Sequence, residues 1–121
     1  MDSIVIFDDD VDLASILKDI LTEEGYRVIT FQSPPTVEQI AQLNADACLV
    51  DVWFGDEPKG AEFVEKLNET LPTKNIKVNC DIYVMSSDPD SKALAHSPFI
   101  RRFFQKPLDL ASLVSVLRTA K

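Results

Sequence analysis

Three consecutive aspartates, Asp8, Asp9 and Asp10, follow a short apolar run at residues 4–7. A run of this kind is typical of a buried strand, so the carboxylates are expected at the carboxyl end of that strand. Neighbouring carboxylates repel one another, and burying their charge is costly unless a partner compensates it. Carboxylate oxygens suit a hard divalent cation such as Mg²⁺. The aspartate triplet therefore predicts a cation site.

Three other polar residues follow predicted strands at the point where each strand ends: Asp51, Ser86 and Lys106. In an open parallel sheet with strand order 2-1-3-4-5, the strands that carry these residues and the aspartate triplet are neighbours, and ligands bind outside their carboxyl ends. A carboxylate in such a pocket can hold a metal or act as a nucleophile. The lysine supplies a positive charge, and the serine hydroxyl can hydrogen-bond a phosphoryl oxygen.

Five predicted strands alternate with five predicted helices along the chain. We expect Gly25 to end the first helix, Ser33-Pro34 to begin the second, Pro72 to end the third and Asp109 to cap the last. The fourth helix, at about residues 89–95, is predicted to be short or irregular. The predicted strands are residues 3–7, 26–31, 47–50, 81–85 and 101–105. This alternation predicts an α/β fold of the flavodoxin-like, doubly wound type, with a five-stranded parallel sheet and helices on both faces.

Composition and charge narrow the function classes. The chain has 121 residues, 45% of them hydrophobic, and a formal net charge of −8. That length and hydrophobic content predict one domain over residues 1–121. The acidic balance argues against direct binding of nucleic acid. With no signal peptide and no apolar stretch long enough for a membrane span, we expect a cytoplasmic protein without membrane attachment. Cys48 and Cys80 lack metal-ligand spacing and are predicted to be buried, reduced thiols.

Four short motifs together resemble the receiver domain of two-component response regulators over essentially the whole chain. They are the acidic pair in "IVIFDDD", Asp51 in "CLVDVW", Ser86 in "YVMSS" and Lys106-Pro107 in "FFQKPLD". Each motif is weak alone, but the four occur in the right order and each lies at the end of a predicted strand. The resemblance implies a signalling domain that receives a phosphoryl group, and not an enzyme that turns over an external substrate.

The resemblance implies a phosphoacceptor and a metal site. Asp51 would accept the phosphoryl group from a phosphohistidine on a sensor histidine kinase or a histidine phosphotransfer protein. Asp8, Asp9 and Asp51, together with the backbone carbonyl of Trp53, would bind Mg²⁺. The sequence does not identify the kinase or the downstream partner, and Asp10 is expected to help begin the first helix.

The resemblance also implies a conformational switch. Ser86 would move toward the phosphoryl group, and Phe103 would turn inward as it does. Lys106 would pair with the phosphoryl group, and the Lys106-Pro107 bond would be cis. The face formed by the fourth strand, the fourth helix and the fifth strand would change on phosphorylation.

Two stretches depart from the family pattern. After Asp51, Lys59 stands where a glycine is usual and Gly60 follows one step later, which suggests a one-residue insertion in the loop. The stretch between Ser86 and Phe103 is shorter than usual, so the family's way of contacting partners is not carried over to this chain.

Two alternatives remain open at the level of sequence. A receiver-like fold can serve as a protein-binding module without phosphorylation. The motif "IFDDDV" also fits the start of haloacid-dehalogenase-type phosphatases, with Asp8 as nucleophile and Asp10 as general acid and base. That family needs a further acidic pair after the lysine, whereas only Asp109 follows Lys106 here, and Asp51 would have no role.

Overall fold

The computed structural model describes residues 2–119 of the chain. Five strands form one parallel sheet in the order β2-β1-β3-β4-β5, which confirms the predicted fold class and strand order. The strands are β1 Ser3–Phe7, β2 Arg27–Phe31, β3 Ala47–Asp51, β4 Asp81–Ser86 and β5 Ile100–Gln105. The helices are α1 Val11–Glu23, α2 Val37–Gln42, α3 Lys59–Lys74, a 3-10 helix at Pro89–His96, and α4 Leu110–Thr119.

Successive side chains of a strand point to opposite faces of the sheet, so both faces carry apolar side chains. Helices cover each of the two faces. On one face, strand residues such as Val50 pack with residues of α2 and α3, including Ile40 and Leu67. On the other face, Ile6 and its neighbours pack with residues of α1 and α4, including Leu17. Residues of β3 are buried along its whole length, as expected for a central parallel strand. This packing fixes the carboxyl ends of the central strands relative to one another.

Side-chain capping marks where α1 and α2 begin. The Asp10 carboxylate accepts a hydrogen bond from Leu13 N at 3.1 Å and caps α1. The prediction that Ser33 begins the second helix is wrong, because Thr36 is the capping residue. Its hydroxyl accepts from Gln39 N at 3.1 Å, while the Gln39 side chain accepts from Thr36 N at 3.4 Å. This reciprocal capping satisfies two backbone donors that would otherwise have no partner.

The prediction that Pro72 ends the third helix is also wrong. Pro72 lies inside α3, which continues to Lys74 and ends at Asn75 in the left-handed conformation, with φ 52°. A proline removes one helical hydrogen bond, but Leu67 and Leu71 are buried on the same helix face. Their burial, together with the left-handed residue that follows, places the end of the helix beyond the proline.

The fourth helical segment is short and irregular, as predicted: it is a 3-10 helix, and none of its eight residues is buried. Ser97 follows it, and the Ser97 hydroxyl donates to Asn68 Oδ1 on α3 at 2.6 Å. The register between β4 and β5 then shifts near Arg101. Ile100 and Phe103 therefore pack on the same face although three positions separate them.

Within residues 2–119, no helix combines the length and the apolar character that crossing a membrane would require.

Candidate functional site

Two buried carboxylates and one lysine meet at the carboxyl ends of β1, β3 and β5. Because Phe7 and Val50 are partners in the sheet, Asp8 and Asp51 leave adjacent strands side by side. Asp8 is 0% exposed and Asp51 is 5% exposed. Lys106 Nζ lies 3.0 Å from Asp8 Oδ2 and 3.3 Å from Asp51 Oδ1. The lysine therefore bridges the two carboxylates.

Asp9 brings a third carboxylate to the same place. One carboxylate oxygen from each of Asp8, Asp9 and Asp51 lies within 4.8 Å of the others. Asp9 is exposed, and its Oδ2 accepts a hydrogen bond from Gly55 N at 2.7 Å. When ionised, the three carboxylates exceed the single positive charge of Lys106 by two, which a divalent cation would balance. Oxygen donors with this charge fit Mg²⁺.

Burial controls the protonation of this cluster. Burial and, after it, the negative charge of Asp8 together raise the pKa of Asp51 from 3.8 to about 7, although the positive charge of Lys106 opposes both effects. Burial by itself would lower the pKa of Lys106, but the charges of Asp51 and Asp8 outweigh it, and the net pKa is raised. Lys106 is therefore charged at neutral pH, and a cation at the site would favour the ionised form of Asp51.

Backbone hydrogen bonds position these side chains. Asp8 Oδ1 accepts from Asp10 N at 2.9 Å, which turns the Asp8 carboxylate toward the pocket rather than solvent. Lys106 N donates to Ser86 O at 2.9 Å, which ties the end of β5 to the end of β4. The Lys106-Pro107 bond is cis, as expected from the sequence. Asp10 itself is exposed and caps α1, so it lies outside the cluster.

Ser86 is buried at the end of β4. Its Oγ accepts from Asp88 N at 3.0 Å and from Ser91 Oγ at 3.1 Å. Phe103 on β5 is half-buried and packs against the α2–α3 face of the sheet. Sequence reasoning did not identify Ser91, because nothing in its neighbourhood indicates that the 3-10 helix brings it to Ser86.

The loop after Asp51 is held close to the cluster. Phe54 N donates to Glu57 O at 2.9 Å and Glu57 N donates back to Phe54 O at 3.2 Å, with Gly55 at φ 64° between them. This tight turn accommodates the long loop and presents Gly55 N to Asp9. Trp53 lies near the start of this loop and is 36% exposed.

Gly60 lies directly against the backbone of Asp51. A Cβ atom added at Gly60 would lie 2.1 Å from Asp51 O and 2.7 Å from Val52 Cα. Gly60 N also donates to Val52 O at 2.9 Å. The start of α3 therefore packs directly under Asp51, and only glycine fits there. The sequence places a glycine near the position that the family pattern requires, but it does not reveal this contact.

Comparison with known proteins identifies the family of the chain. Residues 4–118 match the family model described as the response regulator receiver domain. No curated protein matches the chain significantly. Three similar solved structures share its fold. The receiver domain of the TMAO respiratory system response regulator TorR is 24% identical, with a TM-score of 0.77 and coverage of 99% of this chain and 96% of that one.

A two-component response regulator from Clostridium difficile is 22% identical, with a TM-score of 0.74 and coverage of 98% of this chain and 94% of that one. The response regulator protein TrrA from Thermotoga maritima, solved in complex with Mg²⁺-BeF, is 17% identical, with a TM-score of 0.73 and coverage of 100% of both chains. The resemblance inferred from the four motifs is confirmed. The chain belongs to the family of response regulator receiver domains.

Proposed function

We propose that Asp51 accepts a phosphoryl group in a Mg²⁺-dependent reaction, and that residues 1–121 act as one receiver domain in a two-component phosphorelay. The observation that carries this proposal is the convergence of Asp8, Asp9, Asp51 and Lys106 at the carboxyl ends of three strands. Receiver domains of response regulators are signalling domains rather than turnover enzymes. The donor is a phosphohistidine on a sensor histidine kinase or a histidine phosphotransfer protein.

The transfer step follows from the positions of two side chains. A carboxylate oxygen of Asp51 attacks phosphorus, the phosphorus–nitrogen bond of the phosphohistidine breaks, and its electron pair stays on the imidazole nitrogen. The product is an aspartyl phosphate. Lys106 Nζ, 3.3 Å from Asp51 Oδ1, is placed to stabilise the negative charge on the phosphoryl oxygens. The low exposure of Asp51 keeps bulk water away from the acyl phosphate.

Asp8, Asp9, Asp51 and the backbone carbonyl of Trp53 would hold the Mg²⁺ ion. When bound, the ion offsets the charge of the carboxylates and of the incoming phosphoryl group. The three clustered carboxylate oxygens support this ligand set. The Mg²⁺-BeF complex of TrrA, a protein of the same fold, is consistent with it.

Ser86 and Phe103 are proposed as the switch. In the present conformation, Asp88 N and Ser91 Oγ hold the Ser86 oxygen. A phosphoryl group on Asp51 offers Ser86 a charged acceptor, and charge-assisted hydrogen bonds are roughly twice as strong as neutral ones. Movement of Ser86 would release the 3-10 helix and leave space for half-buried Phe103. The face formed by β4, the 3-10 helix and β5 would then present a different surface to its partner.

Incubation with acetyl phosphate tests the proposal. With Mg²⁺, we expect the intact mass to rise by one phosphoryl group, and the adduct to be labile to hydroxylamine. Asp51→Asn should abolish the adduct, and the exposed-site control Asp19→Asn should retain it. Labelling of Asp8 with turnover of phosphoesters would instead indicate a phosphatase. A folded protein that binds Mg²⁺ and forms no adduct would indicate a binding module.

A further inference from the structure

Two cysteines lie in contact in the half of the sheet that is remote from the carboxylate cluster. Cys48 is on β3, and Cys80 directly precedes β4. Their Sγ atoms are 3.1 Å apart, and Cys48 and Cys80 are 0% and 7% exposed. Asp81 N donates to Asp46 O at 3.0 Å, and Cys48 is the sheet partner of Ile82. The pairing of β3 with β4 therefore holds the two thiols against each other.

The separation of the sulfurs is short enough for bond formation. A disulfide requires a sulfur–sulfur distance of about 2.05 Å, so the two atoms need to approach by about 1 Å. Cys80 lies at the end of the connection between α3 and β4, outside the strand, and can supply this movement. Because the fold already holds the reactants together, the reaction does not depend on a chance encounter of two chain segments.

Access to the pair is one-sided. Cys80 lines an open surface cavity of about 210 Å³ together with Leu71 and Arg101, whereas Cys48 is behind it. A hydrogen bond with the Cys48 thiol lowers the pKa of Cys80, although burial and the charge of Asp81 oppose this effect. The same hydrogen bond, and then burial, raise the pKa of Cys48. Cys80 is thus the cysteine that borders the cavity and the one that more readily forms the thiolate, which is the nucleophile.

We propose that Cys48 and Cys80 form an oxidation site that takes hydrogen peroxide as its oxidant and yields an intramolecular disulfide. The Cys80 thiolate attacks one peroxide oxygen, the oxygen–oxygen bond breaks, hydroxide leaves and a sulfenic acid forms. The Cys48 sulfur then attacks the Cys80 sulfur, the sulfur–oxygen bond breaks and water leaves. In sum, two thiols and one peroxide give one disulfide and two waters.

The disulfide would connect β3 to the residue that precedes β4, and it would close a loop of the chain that includes Asp51. The chain between Cys48 and Cys80, 32 positions apart, contains Asp51, its loop and all of α3. Oxidation would close this segment into a covalent loop without using any residue of the carboxylate cluster. The proposal is therefore independent of whether Asp51 is phosphorylated.

Peptide mapping of the wild-type protein is the test. The folded protein is treated with a few equivalents of peroxide, quenched with catalase, unfolded, alkylated and digested with trypsin without reductant. We expect a linked peptide that joins residues 28–59 to residues 78–92, each of which contains one cysteine. We also expect it to form faster in the folded protein than in the urea-unfolded chain. Free thiols throughout, dimers linked between molecules, or equally fast linkage of the unfolded chain would each overturn the proposal.

Single variants test the order of the two steps. In Cys48→Ser, the sulfenic acid on Cys80 has no partner, and dimedone should trap it at residue 80. In Cys80→Ser, labelling of Cys48 by dimedone should be lost or much slower, because Cys48 is not exposed. Equal labelling of the two folded variants would contradict the assignment of Cys80 as the attacking sulfur. If either variant fails to fold, the peptide map of the wild-type protein still tests whether the disulfide forms.

Discussion

Replacing Asp51 with asparagine should stabilise the protein in the absence of Mg²⁺. The native pKa of Asp51 is about 7, whereas its ordinary value is 3.8. At pH values between 3.8 and about 7, Asp51 has lost its proton in the unfolded chain but keeps it in the native protein. Stability contributed by the protonated carboxyl is therefore complete below about pH 4 and is lost as the pH rises toward 7. Above pH 7 the native state holds a buried carboxylate beside Asp8, and asparagine removes that charge.

The size of the effect follows from the pKa difference. At about 1.4 kcal/mol per pKa unit, ionisation of Asp51 lowers the free energy of unfolding by up to about 4 kcal/mol at pH 8 and by roughly 2 kcal/mol at pH 5. Lys106 Nζ lies 3.0 Å from Asp8 Oδ2 in the wild type, so we expect Asp8 to remain its partner in the variant. With a urea m-value of about 2 kcal/mol/M, the unfolding midpoint of Asp51→Asn should lie about 1–2 M above that of the wild type at pH 8.

Urea unfolding of the wild type, Asp51→Asn and the exposed-site control Asp19→Asn provides the assay. In EDTA, the gain from Asp51→Asn should grow between about pH 5 and pH 8, while Asp19→Asn should stay near the wild type. Mg²⁺ at about 100 times its Kd should stabilise the wild type by roughly 2.7 kcal/mol and so narrow the gap. If Asp51→Asn is no more stable than the control at pH 8 without Mg²⁺, the electrostatic description of the pocket is wrong.

Three further substitutions test neighbouring contacts. Gly60→Ala places a Cβ against Asp51 O and should lower the free energy of unfolding by about 1–3 kcal/mol in urea titrations; an unchanged midpoint would refute the close approach. Ser91→Ala removes the hydroxyl that donates to Ser86, so beryllofluoride with Mg²⁺ should bind about two- to tenfold more tightly. Binding can be followed by the fluorescence of Trp53, the sole tryptophan. Equal or weaker binding would argue that Ser91 does not restrain Ser86. Trp53→Asn should expose the acyl phosphate to water and shorten its half-life, measured by decay of the adduct mass; an equal half-life would show that the tryptophan does not shield it.

The fold was predictable because its signals are repeated along the chain. Apolar runs that end in polar residues alternate with apolar residues at helical spacing, and this pattern defines a parallel sheet without knowledge of distant contacts. The errors fall at helix ends, where single contacts decide. Both Ser33-Pro34 and the capping pair of Thr36 and Gln39 are start signals in the sequence, and α2 begins at the second of them. Pro72 predicts a helix end, but α3 continues through it with Leu71 buried beside it.

The main residues of the candidate site were predictable for a different reason. Strand order determines which strand ends are neighbours, so the residue types at those ends define the pocket. Contacts that depend on loop conformation were not predictable. The hydrogen bond from Gly55 N to Asp9 requires a left-handed glycine in a tight turn, and the one from Ser91 to Ser86 requires the exact path of a 3-10 helix. The proximity of Cys48 and Cys80 likewise depends on sheet register, which their separation in sequence does not reveal.

The most direct test is to locate the phosphoryl group itself. The protein is phosphorylated with acetyl phosphate and Mg²⁺, the acyl phosphate is reduced with borohydride, and the residue converted to homoserine is identified by peptide mapping. We predict conversion at residue 51 alone, and none when EDTA replaces Mg²⁺. Conversion at residue 8 or 9, or conversion at residue 51 that is independent of Mg²⁺, would contradict the proposal that Asp51 accepts the phosphoryl group in a Mg²⁺-dependent reaction.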